Sequence, residues 1–322
     1  MADGNGAESM GNVSGIWKAL LDFATRVGST DLVNQTPASF NIMSEQDREF
    51  LASAMAEYMK ESDPVRQMKE NLEILSHLEY REPNEEQKAQ GVAALEHIID
   101  LCCSLDLATD FHKLGGFRIL VPLLASGASE FRSLGAGLIG ELAQNHAYCQ
   151  QALHKANVLG VLLEMVDSDP DPAVRAKALF AVSCLIRNND QLEEDFMKLD
   201  GLSYLLRATM SDYERLSTKA SFLLSMILKK QENKDKAIEI GLINQLVSMI
   251  GRPAQAHVGE QTTAALLALV DGYPKAVEAC KKPEVGLKRV LEERLKTIGS
   301  TEEFEDERSN IQELIKVCWP VG

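Results

Sequence analysis

The stretch Leu159-Gly-Val-Leu-Leu163 carries leucine at its first, fourth and fifth positions, and this pattern returns about every 42 residues. Four further copies are Phe117-Arg-Ile-Leu-Val121, Leu202-Ser-Tyr-Leu-Leu206, Ile243-Asn-Gln-Leu-Val247 and Leu287-Lys-Arg-Val-Leu291. The steps between successive copies are 42, 43, 41 and 44 residues. Positions i, i+3 and i+4 share one face of a helix, so each triplet predicts a helix with one buried face.

A second apolar series runs in phase with the triplets, with steps of 41, 43, 42 and 42 residues. Its members are Leu101, Leu142, Leu185, Ile227 and Leu269. Two interleaved helical series with one period indicate stacked multi-helix repeats, and this period is typical of the armadillo/HEAT class. We therefore predict an all-α, armadillo-like α-solenoid with helical caps at both ends, a fold that usually presents a curved surface to a partner.

The repeat divides the chain into four predicted regions. These are a flexible N-terminal segment, 1–43, with a short amphipathic helix at 14–27; capping helices at 44–82; armadillo-like repeats at 83–300; and a C-terminal capping helix at 301–322. The repeats run at about 85–126, 127–168, 169–210, 211–251 and 252–298. In each, we expect a long helix, a short turn region and then the triplet helix. Asp169-Pro-Asp-Pro172 predicts Asp171 as an N-cap and Pro172 as a first helical residue.

The composition of the chain limits which partners and which compartment we expect. The formal net charge is -15, which disfavours nucleic acid and anionic membrane as partners. No apolar run reaches the length of a membrane span, and the N-terminal residues do not resemble a signal peptide. The six cysteines form no C-x-x-C pair, which favours buried, reduced thiols. We expect a monomer in the cytoplasm, with the nucleus as an additional compartment to consider.

The motif search favours no catalytic site, no metal site and no cofactor. Gly135-Ala-Gly-Leu-Ile-Gly140 matches G-x-G-x-x-G, but a dinucleotide site needs this motif between a strand and a helix. Here it lies inside the predicted long helix of repeat two, where small residues favour close packing or the approach of a partner. The six histidines lack metal-ligand spacing, and no serine has a nucleophile context. The sequence therefore predicts a protein that is not an enzyme.

The predicted partner surface follows from armadillo-type stacking, in which the long helices line the concave side. We expect Ala178, Val182 and Leu185 to face the core. The outer stripe then holds the candidate partner-binding residues Arg132, Glu141, Arg175, Lys177, Phe180, Arg215, Lys219, Phe222 and Met226.

Phe180 and Phe222 are 42 residues apart and so occupy one repeat position. Aromatic residues flanked by basic ones are typical of an interface hot spot, although both rings could equally belong to the core. Basic residues in an acidic protein favour an acidic patch on the partner. Charge reversal at Arg175 and Lys219 is then expected to weaken partner binding without loss of helix.

Specific stretches resemble one family. Val174–Arg187, Lys219–Leu224 and Ala108–His112, with further matches across about 44–319, are similar to the armadillo-type nucleotide exchange factors of 70-kDa heat shock chaperones. The resemblance implies that the concave face binds one lobe of the ATPase domain of a cytosolic chaperone. The remainder would then conflict with the other lobe, open the nucleotide cleft and promote release of ADP and client. The lack of a signal-like N-terminus argues against the luminal branch of the family.

Two alternatives remain open. The chain could be an armadillo scaffold that binds the chaperone, or a linked ubiquitin ligase, without driving exchange. A peptide adaptor of the nuclear-import type is disfavoured, because such adaptors use repeated Trp and Asn. The aligned positions here hold Gly137, Phe180, Phe222 and Ala264, and then Glu141, Cys184, Met226 and Ala268.

Overall fold

The computed structural model describes residues 45–252 and 256–320, and all regular elements within these ranges are helical. The predicted helix at 14–27 lies outside the described residues. The chain divides into two compact units between Gln67 and Met68. Of the described residues, the first unit contains α1 (Glu45–Glu61) and the first turn of α2 (Pro64–Ser76). This division falls inside the predicted cap at 44–82, so the domain boundaries stay predictions.

The second unit repeats three kinds of helix. The long helices are α3 (Glu85–Cys102), α6 (Ser129–Ala143), α9 (Pro172–Ile186), α12 (Glu214–Ile227), α15 (Ala256–Val270) and α18 (Glu305–Cys318). The short second helices are α4 (Leu105–Lys113), α7 (Ala147–Lys155), α10 (Asp190–Lys198), α13 (Lys234–Glu239) and α16 (Pro274–Lys281). The third helices are α5 (Leu120–Leu124), α8 (Val158–Ser168), α11 (Gly201–Thr209), α14 (Leu242–Ile250) and α17 (Leu287–Ile298).

The all-α solenoid prediction is confirmed, but the middle segment of each repeat differs from the expectation. It forms a helix of six to nine residues where the sequence predicted a turn region. Each of these helices is fixed by two or three buried side chains, such as Ala108 with Phe111 in α4 and Leu192 with Phe196 in α10. Nine residues with two apolar anchors give too short a pattern to separate a helix from a turn.

The triplets lie on the third helices, apart from Phe117 in the 3₁₀ turn before α5, and most of their side chains are buried. Phe117, Leu206 and Val290 are half-buried, and Val121 is exposed, with 46% of its surface accessible. The chain enters α5 through a 3₁₀ turn at Gly116–Ile119, which has about three residues per turn in place of 3.6. This shift in helical phase turns Ile119 and Leu124 inward and leaves Val121 in solvent.

The long helices form a continuous layer. Each packs on the next, from α3 on α6 through to α15 on α18. Leu142, Leu185 and Leu269 of the second apolar series are completely buried in this layer. Ala178, Val182 and Leu185 are buried as predicted, which leaves the opposite face of α9 available to solvent or a partner.

The last helix, α18, is joined to the third helix α17 by a buried ion pair. Nε and Nη2 of Arg294 donate to the two carboxylate oxygens of Glu307 at 2.7 and 3.0 Å. Gly259 in α15 leaves room for this carboxylate, since a Cβ atom at Gly259 would overlap it. Within the second unit, α18 therefore continues the long-helix layer and ends it.

Local capping follows the sequence. The Asp171 carboxylate accepts a hydrogen bond from the Ala173 backbone N–H at 2.8 Å, and Pro172 is the first residue of α9, as predicted. Asn84 and Gln87 form a reciprocal capping box at the start of α3. Each cap satisfies backbone groups that the first turn of a helix leaves unpaired.

The cysteines are free thiols, and five of the six are buried. Cys103 is exposed, contrary to the expectation of buried thiols, because it follows the last residue of α3. Burial raises the pKa of Cys102 to about 12 and that of Cys149 to about 11. These two thiols are therefore uncharged at neutral pH and pack as small apolar groups. Among the described residues, no helix combines the length and apolar character that crossing a membrane would need.

Candidate partner-binding surface

A groove of about 490 Å³ lies on the long-helix layer, where α6, α9 and α12 adjoin. We call it the basic groove, and it is lined by Ser133, Glu141, Ala173, Ala176, Lys177, Phe180, Tyr213, Arg215 and Lys219. The structure thus brings together five of the nine candidate residues from three successive repeats. Helical spacing explains this, because residues three or four apart on one helix share a face.

Phe180 forms the centre of the basic groove. The ring is half-buried, and the ammonium nitrogens of Lys177 and Lys219 lie 5.9 and 5.4 Å from its centroid. At these distances each cation is attracted by the negative face of the ring. One aromatic side chain therefore holds two basic side chains from different helices beside the same opening.

The groove carries an excess of positive charge. Burial lowers the pKa of Lys219, and the neighbouring cations Lys177 and Arg215 lower it further. Within the described ranges, no carboxylate lies within 4.0 Å of the charged atoms of these three residues. Glu141 is the carboxylate that lines the groove. In a chain of net charge -15, this local surplus selects for an anionic surface.

Glycines in α6 make the groove possible. A Cβ atom at Gly140 would lie 2.6 Å from Cδ1 of Phe180, so the ring can lie against α6 only because this residue is glycine. A Cβ atom at Gly135 would crowd Leu123 in the same way. A Cβ atom at Gly137 would make an ordinary contact with Nζ of Lys177, 3.9 Å away. The G-x-G-x-x-G stretch therefore serves helix packing at Gly135 and Gly140, as the sequence indicated.

Phe222 and Met226 lie beside the basic groove without lining it. They are 39% and 38% exposed, and the Arg187 guanidinium carbon lies 6.0 Å from the Phe222 ring centroid. Met226 lines a neighbouring cavity of about 210 Å³. Since Phe180 is half-buried and Phe222 exposed, neither ring belongs to the closed core. The two differ because the repeat places Ser183 where α6 has Gly140, and serine leaves less room for a ring.

Two predicted basic residues are engaged elsewhere. Nε and Nη2 of Arg132 donate to the Asp169 carboxylate at 2.7 and 2.9 Å, and Nη1 donates to the carbonyl of Ser126. Nε of Arg175 donates to the carbonyl of Val166 at 2.7 Å. These contacts stabilise the connections between helices, so we leave Arg132 and Arg175 out of the proposed surface. The Arg132 partner is 37 residues away in sequence, which a helical-face pattern does not reveal.

The sequence reasoning missed two groove residues. Ser133 precedes Gly137 by one helical turn and Glu141 by two, so the same stripe could have identified it. Tyr213 is the N-cap residue of α12 and lies outside the regular helix. Its position in the groove follows from the connection between α11 and α12, for which the periodic pattern carries no information. No group of three or more potential metal-ligating side chains occurs in the described part of the chain.

Comparison with solved structures supports the fold alone. A designed armadillo repeat protein superposes with a TM-score of 0.61 at 20% sequence identity, covering 77% of this chain and 98% of that chain. Structures of computationally designed armadillo repeat proteins for modular peptide recognition give a TM-score of 0.61 at 19% identity, covering 76% of this chain and 98% of theirs. The helix arrangement is therefore that of an armadillo solenoid.

Sequence comparison identifies the family. Residues 107–237 match the SIL1/FES1/HPBP1 C-terminal domain. Hsp70-binding protein 1 of Mus musculus is 35% identical over 286 residues, which cover 86% of this chain and 79% of that protein, and the Homo sapiens protein gives the same values. Hsp70 nucleotide exchange factor FES1 of Mycosarcoma maydis is 28% identical over 142 residues, 44% of this chain and 36% of that protein. The chain thus belongs to the SIL1/FES1/HPBP1 family of Hsp70-binding proteins and nucleotide exchange factors.

Proposed function

We propose that this protein is a nucleotide exchange factor that binds the ATPase domain of a cytosolic 70-kDa heat shock protein through its basic groove. The observation that carries the proposal is the cluster of Lys177, Arg215 and Lys219 around Phe180, which has no paired carboxylate among the described residues. A half-buried ring flanked by cations has the composition of an interface hot spot. Family membership identifies the class of partner.

The mechanism is a shift between two states of the partner. A factor that binds the open ATPase domain more tightly than the closed one favours opening by the difference in binding free energy. An open nucleotide cleft releases ADP, after which ATP rebinds and the client dissociates. The protein needs to supply a surface and no reacting group, so we propose that it is a co-chaperone without catalytic residues.

The proposed compartment is the cytoplasm, with the nucleus as an additional compartment to consider, and the protein is proposed to act as a monomer. The match to Hsp70-binding protein 1 of Homo sapiens extends over 86% of this chain. Nucleotide exchange factor SIL1 of Xenopus laevis is 27% identical over 42% of it.

The direct test is stopped-flow release of fluorescent ADP from a purified cytosolic 70-kDa heat shock protein. We expect acceleration that saturates with the concentration of this protein and persists when residues 1–43 are removed. Binding without acceleration would contradict exchange activity and favour a scaffold that acts on the chaperone or on a linked ubiquitin ligase.

A matched pair of variants tests the surface. Lys177→Glu with Lys219→Glu is expected to raise the half-saturating concentration by about tenfold or more, because it removes two charge-assisted contacts and adds repulsion. The control, Lys155→Glu with Lys236→Glu, changes the net charge equally at two exposed lysines of the short second helices. Equal effects of the two variants would show that net charge, and not the groove, governs binding.

A further inference from the structure

The basic groove contains more hydrogen-bond donors than acceptors. Lys177, Arg215 and Lys219 are accompanied by the hydroxyl groups of Ser133 and Tyr213. Neither hydroxyl makes a hydrogen bond to another residue in the described ranges. Lysine and arginine bind phosphate oxygens, and hydroxyl groups commonly complete such sites.

We propose that the basic groove is also an anion site that takes a compact polyvalent phosphate, and that the bound phosphate competes with the partner. The competition with the partner rests on the proposed function, whereas the anion site does not. The ligand class is a chain of linked phosphates, such as tripolyphosphate or the triphosphate of a nucleotide.

The geometry suits a ligand with several charges. The cations come from two helices, α9 and α12, and two of them lie within 6 Å of the centroid of one ring. They line a single volume of about 490 Å³, so an anion bound in it faces all three cations. A single carboxylate would neutralise one of the three charges. A triphosphate brings three or more negative charges and many acceptor oxygens into the same volume.

The start of α12 lies at one side of the groove and carries Glu214 in its first turn. Tyr213, its N-cap residue, provides no side-chain capping hydrogen bond. By contrast, Asp171 caps the start of α9 with its own carboxylate. Backbone N–H groups at an uncapped helix start carry partial positive charge and favour an anion nearby. Because Tyr213 and Arg215 both line the groove, this helix start lies beside the cations.

The balance of charges that line the groove also favours an anion. Glu141 is its one lining carboxylate against three cations. Mutual repulsion contributes to the lowered pKa of Lys219, after the larger effect of burial. A bound phosphate relieves this repulsion, so its binding is expected to raise the pKa of Lys219. Because the phosphate and an acidic surface of the partner need the same cations, each is expected to lower the apparent affinity of the other.

The first experiment measures phosphate binding to the full chain, without chaperone, by isothermal titration calorimetry with sodium tripolyphosphate at low ionic strength. We expect one saturable site. Lys177→Gln with Lys219→Gln should weaken binding by about tenfold or more, because two charge-assisted hydrogen bonds are lost. The control variant, Lys155→Gln with Lys236→Gln, should stay within about twofold, since only distant screened charges change. No saturable binding, or equal losses in both variants, would overturn the proposal.

Two further binding experiments determine which class of phosphate compound the groove takes. ATP without magnesium should compete with tripolyphosphate for the same site, because the phosphate chain is the common chemistry. Vesicles containing a phosphoinositide lipid serve as the other arm, and binding to vesicles without binding to tripolyphosphate would overturn the proposal. The pKa of the Lys219 ammonium, followed by heteronuclear NMR, should rise on addition of tripolyphosphate. An unchanged pKa would place the phosphate elsewhere.

The competition is tested with the isolated ATPase domain of the chaperone, saturated with ADP beforehand. Tripolyphosphate should raise the apparent dissociation constant in proportion to its own occupancy of the groove, while sulfate at equal ionic strength should not. An unchanged affinity at saturating phosphate would overturn the competition. If phosphate binds and the chaperone does not, the proposed function fails while the anion site stands. If the chaperone binds through the groove and phosphate does not bind, the anion site alone fails.

Discussion

Gly140→Ala provides the sharpest test of how the groove is built. In the wild-type protein, the Phe180 ring occupies the space that a Cβ atom at this position would need, with Cδ1 only 2.6 Å away. The backbone has no reason to shift, because the obstacle is the far end of a side chain. Phe180 must therefore swing away from α6 and into the groove beside Lys177 and Lys219.

Two opposing effects determine how much Gly140→Ala changes the free energy of unfolding. Replacing glycine by alanine inside a helix stabilises the folded state by about 1 kcal/mol. Overpacking costs about 1–3 kcal/mol, since the ring leaves its contact with α6. We expect the free energy of unfolding to fall by about 0–2 kcal/mol, a smaller loss than a rigid clash would cause. Binding to the chaperone should weaken as well, because the displaced ring fills the groove.

A double-mutant cycle that combines Gly140→Ala with Phe180→Ala isolates the contact between residue 140 and the Phe180 ring. Without the ring, Gly140→Ala meets no obstacle and should stabilise the protein by about 1 kcal/mol. The assay is urea unfolding followed by circular dichroism at 222 nm, with calorimetry as a check on two-state behaviour, because repeat proteins can unfold in stages. If Gly140→Ala stabilised both backgrounds equally, the ring would not depend on this glycine and the reasoning would be refuted.

Three further predictions concern other parts of the second unit. Glu307→Gln removes the buried carboxylate charge that Nε and Nη2 of Arg294 contact and should destabilise the protein by about 3–5 kcal/mol, measured by thermal and urea unfolding; a loss under about 1 kcal/mol would contradict this. Asp171→Ala removes an N-cap and should cost about 1 kcal/mol in the same assay, whereas Asp171→Asn should retain most of it. Binding of an acidic partner should weaken as pH rises through the lowered pKa of Lys219, because the neutral amine cannot pair, and this pH dependence should vanish in Lys219→Gln.

The fold could be read from the sequence because long periodic patterns are reliable. Leu142, Leu185 and Leu269 lie in the buried layer that their spacing predicted. The short second helices could not be predicted from periodicity in this way. The helix Asp190–Lys198 buries only Leu192 and Phe196, so its pattern is no stronger than that of a turn. Val121 was misplaced for a related reason, since a 3₁₀ turn changes the phase of a helix without leaving a clear trace in the sequence.

The candidate site was predictable in part. Lys177, Phe180 and Lys219 were found because their positions on the long helices follow from the repeat. Arg132 was assigned to the same surface by the same rule, yet it pairs with Asp169, 37 residues along the chain. Periodicity identifies the face on which a residue lies. It does not identify whether a partner from another repeat already occupies that side chain.

The contrast between the whole chain and the groove defines what kind of partner can bind. The net charge of -15 repels an acidic protein at long range, whereas Lys177, Arg215 and Lys219 attract an anionic group only at close range. Salt screens exposed charges beyond about 8 Å at physiological ionic strength, so added salt should weaken the long-range repulsion before it weakens contacts inside a partly buried groove. An acidic partner without a group that reaches the groove gains nothing to offset the repulsion. We therefore expect specificity to come from two effects: long-range repulsion of all acidic proteins, and attraction at the groove for those whose shape brings an anionic group into it. Acidic proteins of the wrong shape are repelled and gain no attraction.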